Sequence, residues 1–535
     1  MADDKAIWAV DSETDPFRAG RVPDAFLWGA YNPYTGEWLE WDNTADFIEW
    51  AREQDAIMYA HNGGKFDWHY ITSALEEYAA VMIIAGRLAK FKIGKAEFRD
   101  SWNILPAPLS KLGAKDEIDY HLLEKETRAA HMDKIRKYHK QDCVVLGRAI
   151  MNFIDRHGIK LTQAGAAMSL WESINGKADR TSPHFFERFS PYYYGGRVQC
   201  FEVGEIGDPF EVYDINSAYP HAMLSDHPSG SLYRVEDELP ANDSELARSF
   251  IDMFAESTGA FPYRNDEGGL DFPADGKFRS FRVTGWEYIA ARDTDTLGRH
   301  TVGAVYMFDE TINFKDYIEP LYKERAALKA ADDEREILPK FDMNALYGKY
   351  GANPDKYREY MTIPFSDVLA AREDGGWEFD GRTEELALMS RPINEHRKRF
   401  YNVATAASIT GYVRANIWRG VCATDRPLYC DTDCIVGMGI SGLDMDSARL
   451  GAWDCEAKCD YGAIAGKKLY AFKLTNSEKH KTASKGVKLG AEQIIRVAKG
   501  ETVKYENDAP TFSLKVDKSG SKARFIKRNV KRTTI

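Results

Sequence analysis

A mixed α/β (α+β), multidomain fold is what the 535-residue sequence predicts. Three observations lead there. Hydrophobic residues make up 44% and charged residues 29%, enough apolar surface to close several cores at ordinary domain size. Short apolar runs ending in acidic or glycine turns alternate with segments of helical periodicity, so strands and helices are interleaved. No window approaches the ~18 uninterrupted apolar residues of a membrane span. The composition also excludes disorder, collagen-like repeats and a disulfide scaffold. Seven scattered cysteines fit a reducing compartment. The opening Met1–Val10 is too short and too acidic for a signal peptide, so a cytoplasmic protein is expected.

Within 1–150, Ala6–Val10 is a strand ending in Asp11-Ser12-Glu13, Ala56–Ala60 is a second strand, and Tyr138–Ile150 is helical. Residues 151–190 form a helical joint. After a Tyr/Gly cluster comes the strand Phe210–Tyr213, with a helix opening at Pro220. Residues 225–320 read as less regular, with a turn at Asn265-Asp266-Glu267-Gly268-Gly269. Residues 315–350 are helical, with Pro339 a break or a first-turn residue. Gly375-Gly376 lies between strand-like stretches and suggests a hairpin. Residues 402–420 are helical, and Leu428–Met438 reads as strand–turn–strand.

The net charge is -12, yet residues 461–535 carry 18 Lys/Arg against 6 Asp/Glu, which leaves -24 on the first 460. Such a basic segment, ending in Lys522, Arg524, Lys527, Arg528, Lys531 and Arg532, suits a polyanion. The acidic body is compatible with it if some carboxylates hold metal ions.

Two sets of carboxylates qualify. Asp11 and Glu13, two apart on a strand, share a face. Asp67 comes after a glycine-containing turn in Asn62-Gly63-Gly64-Lys65-Phe66-Asp67, and Tyr138 and Asp142 share a helical face at i, i+4. Four carboxylates gathered from strand, turn and helix need cations between them and fit a two-metal phosphodiester-cleaving site. In the second set, Asp214 ends an apolar strand. Lys340, Asn344 and Tyr347 form one helical stripe offering a cation, an amide and a ring. Asp431 and Asp433 occupy a tight turn between buried strands, where two carboxylates are costly without a metal.

The first set resembles the three motifs of the proofreading 3′→5′ exonuclease domain of family B DNA polymerases, in their usual order. The resemblance implies an RNase H-like domain over 1–150, with Asp11, Glu13, Asp67 and Asp142 binding metal and Tyr138 orienting the attacking water. It assigns Thr14, Asn62 and Phe66 to the single-stranded 3′ end. Ser101 matches a further strand contact, although Trp102 stands where leucine is usual, and Lys115 matches an auxiliary catalytic lysine of the protein-primed branch.

Tyr213–Pro220, Lys340–Gly348 and Tyr429–Asp433 look like motifs A, B and C of the polymerase half, with Ala218 and Ala345 replacing the usual leucine and serine. Tyr193, Gly195 and Gly196 resemble the Tyr-x-Gly-Gly link between the two halves, Thr410 and Arg414 a primer-contacting pair, and Lys468 and Tyr470 the Lys-x-Tyr grip on the primer end. This likeness implies a right-hand polymerase domain over 191–535. Its palm would be 191–224 and 402–460, its fingers about 321–351 and its thumb 461–535. Insertions at about 225–320 and 352–401 are typical of protein-primed polymerases of small linear-genome bacteriophages. In that group the first contacts the terminal protein and the second supports processivity and strand displacement.

The resemblance implies that Asp214 and Asp433 hold two Mg²⁺ ions, with Mn²⁺ as the other candidate and Asp431 supporting them. Lys340 and Lys323 would hold the triphosphate, with Tyr347 and Tyr219 against the nucleoside and Tyr219 excluding a 2′-hydroxyl. The expected function is DNA-directed DNA polymerisation with proofreading in an infected bacterial host. Its partners would be template and primer DNA, deoxynucleotides, a terminal protein and a single-stranded-DNA-binding protein. The alternatives are the same polymerase on a nucleic-acid primer and a non-catalytic DNA-binding scaffold. A zinc site at Cys430, Cys434, Cys455 and Cys459 has allowed spacing, but two of these flank the acidic turn, so small buried residues are the better reading.

Overall fold

The computed structural model describes residues 5–514 and 523–534; Lys522 and the first four residues lie outside them. The N-terminal part holds strands β1 (Ala6–Thr14), β2 (Ala25–Tyr31) and β3 (Trp38–Trp41), helix α1 (Thr44–Glu53), strands β4 (Ala56–Ala60), β5 (Ala80–Ile84), β6 (Arg87–Ile93) and β7 (Ala96–Asp100), and the long helix α2 (Met132–His157). β1, β4 and β7 are parallel neighbours. They are apolar on both faces because both are covered. Trp8, Val10 and Met58 join one core with Trp28 and Phe47. Ile7, Ala9, Ile57 and Tyr59 join another, with Leu146, Ile150 and Phe153 of α2. Asp11 and Glu13 therefore lie within a nine-residue strand, not beyond its end.

Helices α3 (Gln163–Asn175) and α4 (Pro183–Phe189) form the joint. Strands β8 (Val198–Cys200), β9 (Gly204–Ile206) and β10 (Phe210–Ile215) and helix α5 (Ala218–Ala222) come after it. Next are β11 (His227–Pro228), β12 (Arg234–Glu236), α6 (Asp243–Ala247), β13 (Ser249–Glu256), β14 (Tyr263–Arg264), β15 (Leu270–Asp271), β16 (Phe278–Thr284), α7 (Gly285–Asp293), β17 (His300–Met307) and β18 (Thr311–Ile312). This region is more regular than the sequence suggests: β12-β17-β13-β16 is an antiparallel sheet. Its period-2 signal is blurred because Phe254 and Phe278 are exposed on the outer face. The turn at 265–269 joins β14 to β15 as expected.

Helices α8 (Lys315–Ala330) and α9 (Ile337–Tyr350) are separated at 331–336, so Pro339 is a first-turn residue of α9 while Pro320 is tolerated inside α8. Strand β19 (Arg358–Pro364), helix α10 (Val368–Gly375) and strands β20 (Glu378–Arg382) and β21 (Leu386–Pro392) come next. Gly375-Gly376 ends α10, with Gly376 left-handed at φ 61; the hairpin turn lies instead between β20 and β21. The chain closes with α11 (Val403–Cys422), β22 (Thr424–Asp431), β23 (Cys434–Ile440), β24 (Trp453–Gly466), β25 (Leu469–Leu474), β26 (His480–Ser484), α12 (Ala491–Ala498) and four short strands.

Two features bear on the expected borders. β19 pairs with β5, so residues 352–401 extend the N-terminal sheet into ten strands, β20-β21-β19-β5-β6-β7-β4-β1-β2-β3. The border at 461 falls inside β24, and β25 and β26 continue the second sheet, β26-β25-β24-β10-β23-β22-β8. A thumb distinct from that sheet can start only after Ser484. The largest core lies against this sheet and unites α3, α5, α7, α9 and α11. No helix of the described residues is long and apolar enough to cross a membrane.

Candidate active sites

The four N-terminal carboxylates converge. β1 presents Asp11 and Glu13, the turn after β4 presents Asp67, and α2 presents Asp142, around a cavity of about 520 Å³. The Ser12 hydroxyl donates to Asp67 Oδ1 at 2.6 Å. Lys115 Nζ donates to Asp142 Oδ2 at 2.6 Å and to the Tyr138 hydroxyl at 3.0 Å. Burial, followed by the other carboxylates, pushes Asp11 well above the usual carboxylate range. Burial, then Asp142, raises Glu13 to about 8, and burial raises Asp67 to about 6. Burial also raises Asp142, against the pull of Lys115. Glu13 Oε1 and Asp142 Oδ1 are buried without a hydrogen-bond partner among the described residues. Orphaned carboxylate oxygens beside mutually repelling acids are what a hard divalent cation satisfies.

Thr14, Asn62 and Phe66 line the same cavity. Asn62 is left-handed, φ 63, and its Oδ1 accepts from Arg87. Ser101 does not reach the cavity. It is fully buried, donating to the Ala60 carbonyl and lying 3.0 Å from His61 Nδ1, so any effect on a strand passes through His61, which does line it. The sequence reading missed the opposite wall: Lys488, Pro510 and Thr511, with Phe512 packed on His69, Phe66 and Tyr70. No local signal could have found residues more than 340 positions from the rest of the lining.

The second set also converges. On β10, Asp214 faces Cys434 of β23 and Asp454 of β24. The Ile215 N–H donates to the Asp433 carbonyl at 2.8 Å, which seats the turn beside it. Burial, then Asp433 and Glu456, raises Asp214 to about 7; burial, then Asp431, raises Asp433. Asp431 is engaged by both contacts of Lys468 Nζ, at 2.5 and 2.7 Å, and by the Tyr429 hydroxyl at 3.1 Å. That fits a supporting role and leaves Asp214 and Asp433 as the candidate ligands. Glu456, missed in the sequence, brings a carboxylate within 4.8 Å of Asp214 and pairs with Lys481. It sits three residues after an unremarked Trp453, with no motif to mark it. The Cys434 sulfur lies within the same 4.8 Å as these two carboxylates, and burial holds its thiol well above its ordinary value. No cluster of four cysteines occurs among the described residues.

The turn itself is strained. Thr432, β-branched, is left-handed at φ 62. It is held by its N–H to the Arg197 carbonyl at 2.7 Å and its hydroxyl to Asp431 at 3.0 Å. Arg197, also missed in the sequence, is buried between Phe272 and Trp418. Gly196 packs so tightly on the turn that a Cβ there would lie 2.8 Å from Thr432 Cγ2.

Tyr219 and Tyr347 stack at 4.4 Å, 6° from parallel. Tyr347 shares its helix with Lys340 and Asn344, both exposed, and the Asn344 amide donates to the Lys340 carbonyl at 2.8 Å. Lys323 is exposed on the neighbouring α8. Tyr193 packs in the adjoining core, and Tyr470 stacks on Phe472 at 4.2 Å. Thr410 and Arg414, expected as a primer-contacting pair, lie beside the Tyr-Gly-Gly segment. Both are buried, and Arg414 donates to Glu287 (2.7 Å), the Tyr194 and Gly195 carbonyls (2.8 and 3.0 Å) and Thr410 (3.1 Å). These bonds brace the Tyr-Gly-Gly segment, while Arg414 Nη2 keeps no hydrogen-bond partner among the described residues.

Comparison with known proteins adds the lineage. Residues 114–364 match the family described as DNA polymerase type B, organellar and viral. The DNA-directed DNA polymerase of Enterobacteria phage PRD1 is 36% identical, over 98% of both chains. The DNA polymerase of Bacillus phage phi29 is 23% identical over 80% of this chain and 75% of that one. A structure of phi29 DNA polymerase complexed with primer-template DNA and incoming nucleotide substrates superposes with a TM-score of 0.74 at 18% identity, covering 98% of this chain and 100% of that one. The chain belongs to the protein-primed branch of the family B DNA polymerases of bacteriophages.

Proposed function

We propose that this DNA-directed DNA polymerase copies a linear phage genome from a protein primer, displaces the strand ahead, and proofreads at a separate 3′→5′ exonuclease site. The observation that carries the two-site reading is the presence of two acidic clusters on two different sheets, each with carboxyl groups held above their usual range by burial and by one another. Divalent ions, when bound, would lower the pKa of the attacking hydroxyl or water and neutralise charge on the phosphoryl group. In the polymerase, Asp214 and Asp433 would hold them, and Lys468 fixes Asp431 behind the turn. Lys340 and Lys323 are the cations for the triphosphate, while Tyr219 and Tyr347 give flat faces for the nucleoside, Tyr219 on the side that would meet a 2′-hydroxyl. In the exonuclease, Asp11, Glu13, Asp67 and Asp142 would hold the ions. Lys115 tethers Tyr138 to Asp142 at the place of the attacking water, and Thr14, Asn62 and Phe66 receive the 3′ end.

The template and primer would be gripped by the basic C-terminal segment through backbone phosphates. A terminal protein supplies the first hydroxyl, a single-stranded-DNA-binding protein covers the displaced strand, and the reaction takes place in the host cytoplasm. Extension of a primer on a circular template tests synthesis and displacement together, and deoxynucleotide transfer to purified terminal protein without an oligonucleotide tests the priming. Asp433→Ala should abolish addition and spare degradation of a single strand, while Asp11→Ala with Asp67→Ala should do the reverse. Equal loss of both activities in either variant refutes two separate sites.

A further inference from the structure

Helix α2 does more than carry Tyr138 and Asp142. Its other end reaches the two helices α8 and α9. Arg156 Nε donates to Asp342 Oδ2 of α9 at 2.7 Å, and its Nη1 and Nη2 donate to the two oxygens of Glu324 on α8 at 2.7 and 3.0 Å. One guanidinium thus joins both helices, a task its planar fork performs and a lysine cannot. Asp342 is fully buried. It also accepts from Gln163 Nε2 at 2.8 Å, has His157 Nε2 at 3.2 Å, and its carbonyl accepts from the Tyr317 hydroxyl at 3.1 Å.

A buried aspartate in the middle of a helix is costly against an apolar residue of similar size, so its retention points to a need for one defined seating. The apolar contacts agree. Leu338, with Ile337 and Phe341 beside it, belongs to the core of the N-terminal sheet, alongside Leu146, Ile150 and Phe153 of α2. The opposite face of α9 presents the Lys340, Asn344 and Tyr347 stripe, since residues 340, 344 and 347 share one side and 342 lies across the helix from them.

We infer that Arg156 is a positioning residue of the polymerase: from the exonuclease helix it locks α8 and α9 together and so holds the nucleotide-facing stripe in register with Tyr219. This rests on reading that stripe as the deoxynucleotide site. Loosening the lock leaves the catalytic carboxylates untouched and reduces the fraction of molecules with the stripe in place, which raises the apparent KM without altering kcat.

The test is primer extension by the full chain at varied deoxynucleotide concentration, with single-strand degradation and melting temperature measured in parallel. Glu324→Gln is the first variant, because Glu324 is 40% exposed and its loss leaves Asp342 still paired with Arg156. Arg156→Lys is the second. Each should raise KM for the deoxynucleotide by about fivefold and change kcat by less than about twofold, with degradation at the wild-type rate. The double variant should fall short of the product of the two effects. An unchanged KM in both folded variants overturns the assignment, as does a parallel fall of kcat and degradation, which would mark a purely structural role. A wild-type protein that adds no nucleotide at all would instead refute the reading of the stripe, and this inference with it.

Discussion

Glu13 shows in one residue why these pockets call for cations. Its Oε1 is orphaned inside the protein, and burial with Asp142 raises its pKa to about 8. Its folded-state pKa lies above the ordinary 4.5, so the folded protein holds the proton more tightly than the unfolded chain, and the site costs stability increasingly as pH climbs from about 4.5 to 8. Glu13→Gln removes that cost. In chelator, the variant should be more stable than the wild type at pH 8, with the gain fading toward pH 4.5. Added Mg²⁺ should raise its melting temperature less than that of the wild type, and single-strand degradation should drop by about 10²-fold or more. Calorimetry with and without Mg²⁺ decides it, and a variant less stable than the wild type at pH 8 in chelator would contradict the crowding argument. The identity of this residue was legible in the sequence, because strand alternation alone puts Glu13 on the face of Asp11. Its partners Asp67 and Asp142 were legible as motif members. Glu456 was not, since a lone glutamate on a long strand acquires meaning only from the register that sets β24 beside β10.

At the scale of the element, the decisive piece is the turn between β22 and β23. Two buried strands around Asp431-Thr432-Asp433 are readable from hydrophobicity, and the structure has them within a few residues of the expected span. What holds the turn is less visible: Thr432 keeps a left-handed backbone because Arg197 and Gly196 press on it from the Tyr-Gly-Gly segment. Gly196→Ala would force a Cβ to within 2.8 Å of Thr432. Nucleotide addition should fall by up to about 10²-fold, the cost of misplacing the turn's carboxylates by about an ångström. Single-strand degradation should stay at the wild-type rate, and assaying both activities on one preparation separates this from general damage. The buried Thr410 and Arg414 carry the same lesson. On helix α11 a threonine and an arginine four apart carry no local sign of burial, and only the neighbouring Glu287 and the Tyr194 and Gly195 carbonyls make the interior a place for the arginine.

Across the whole molecule, both halves bury neutral histidines. Burial lowers His61, His139 and His227 to about 4. His227 is completely enclosed, with one ring nitrogen against the Ala222 carbonyl and the other 2.9 Å from the Ser408 hydroxyl. A histidine depressed below its ordinary 6.5 contributes stability that is intact above 6.5 and lost as pH falls toward 4. His227→Gln lacks this titration, so its stability relative to the wild type should improve by on the order of 3 kcal/mol between pH 7 and pH 4. Urea midpoints across that range measure the difference, and a constant gap would show that His227 takes up its proton in the folded protein as readily as in the unfolded chain. By itself the sequence determined the strands and helices that bear the two acidic sets, the order of the motifs and the family, because hydrophobic period and short motifs are local properties of the chain. The tertiary structure alone decided that β19 joins the N-terminal sheet, that Lys488, Pro510 and Thr511 wall the cavity of the four N-terminal carboxylates, and that Arg156 joins α2 to α8 and α9. These contacts connect residues more than 160 positions apart, and long-range pairings of that kind depend on which surfaces fold together rather than on any pattern a single segment displays.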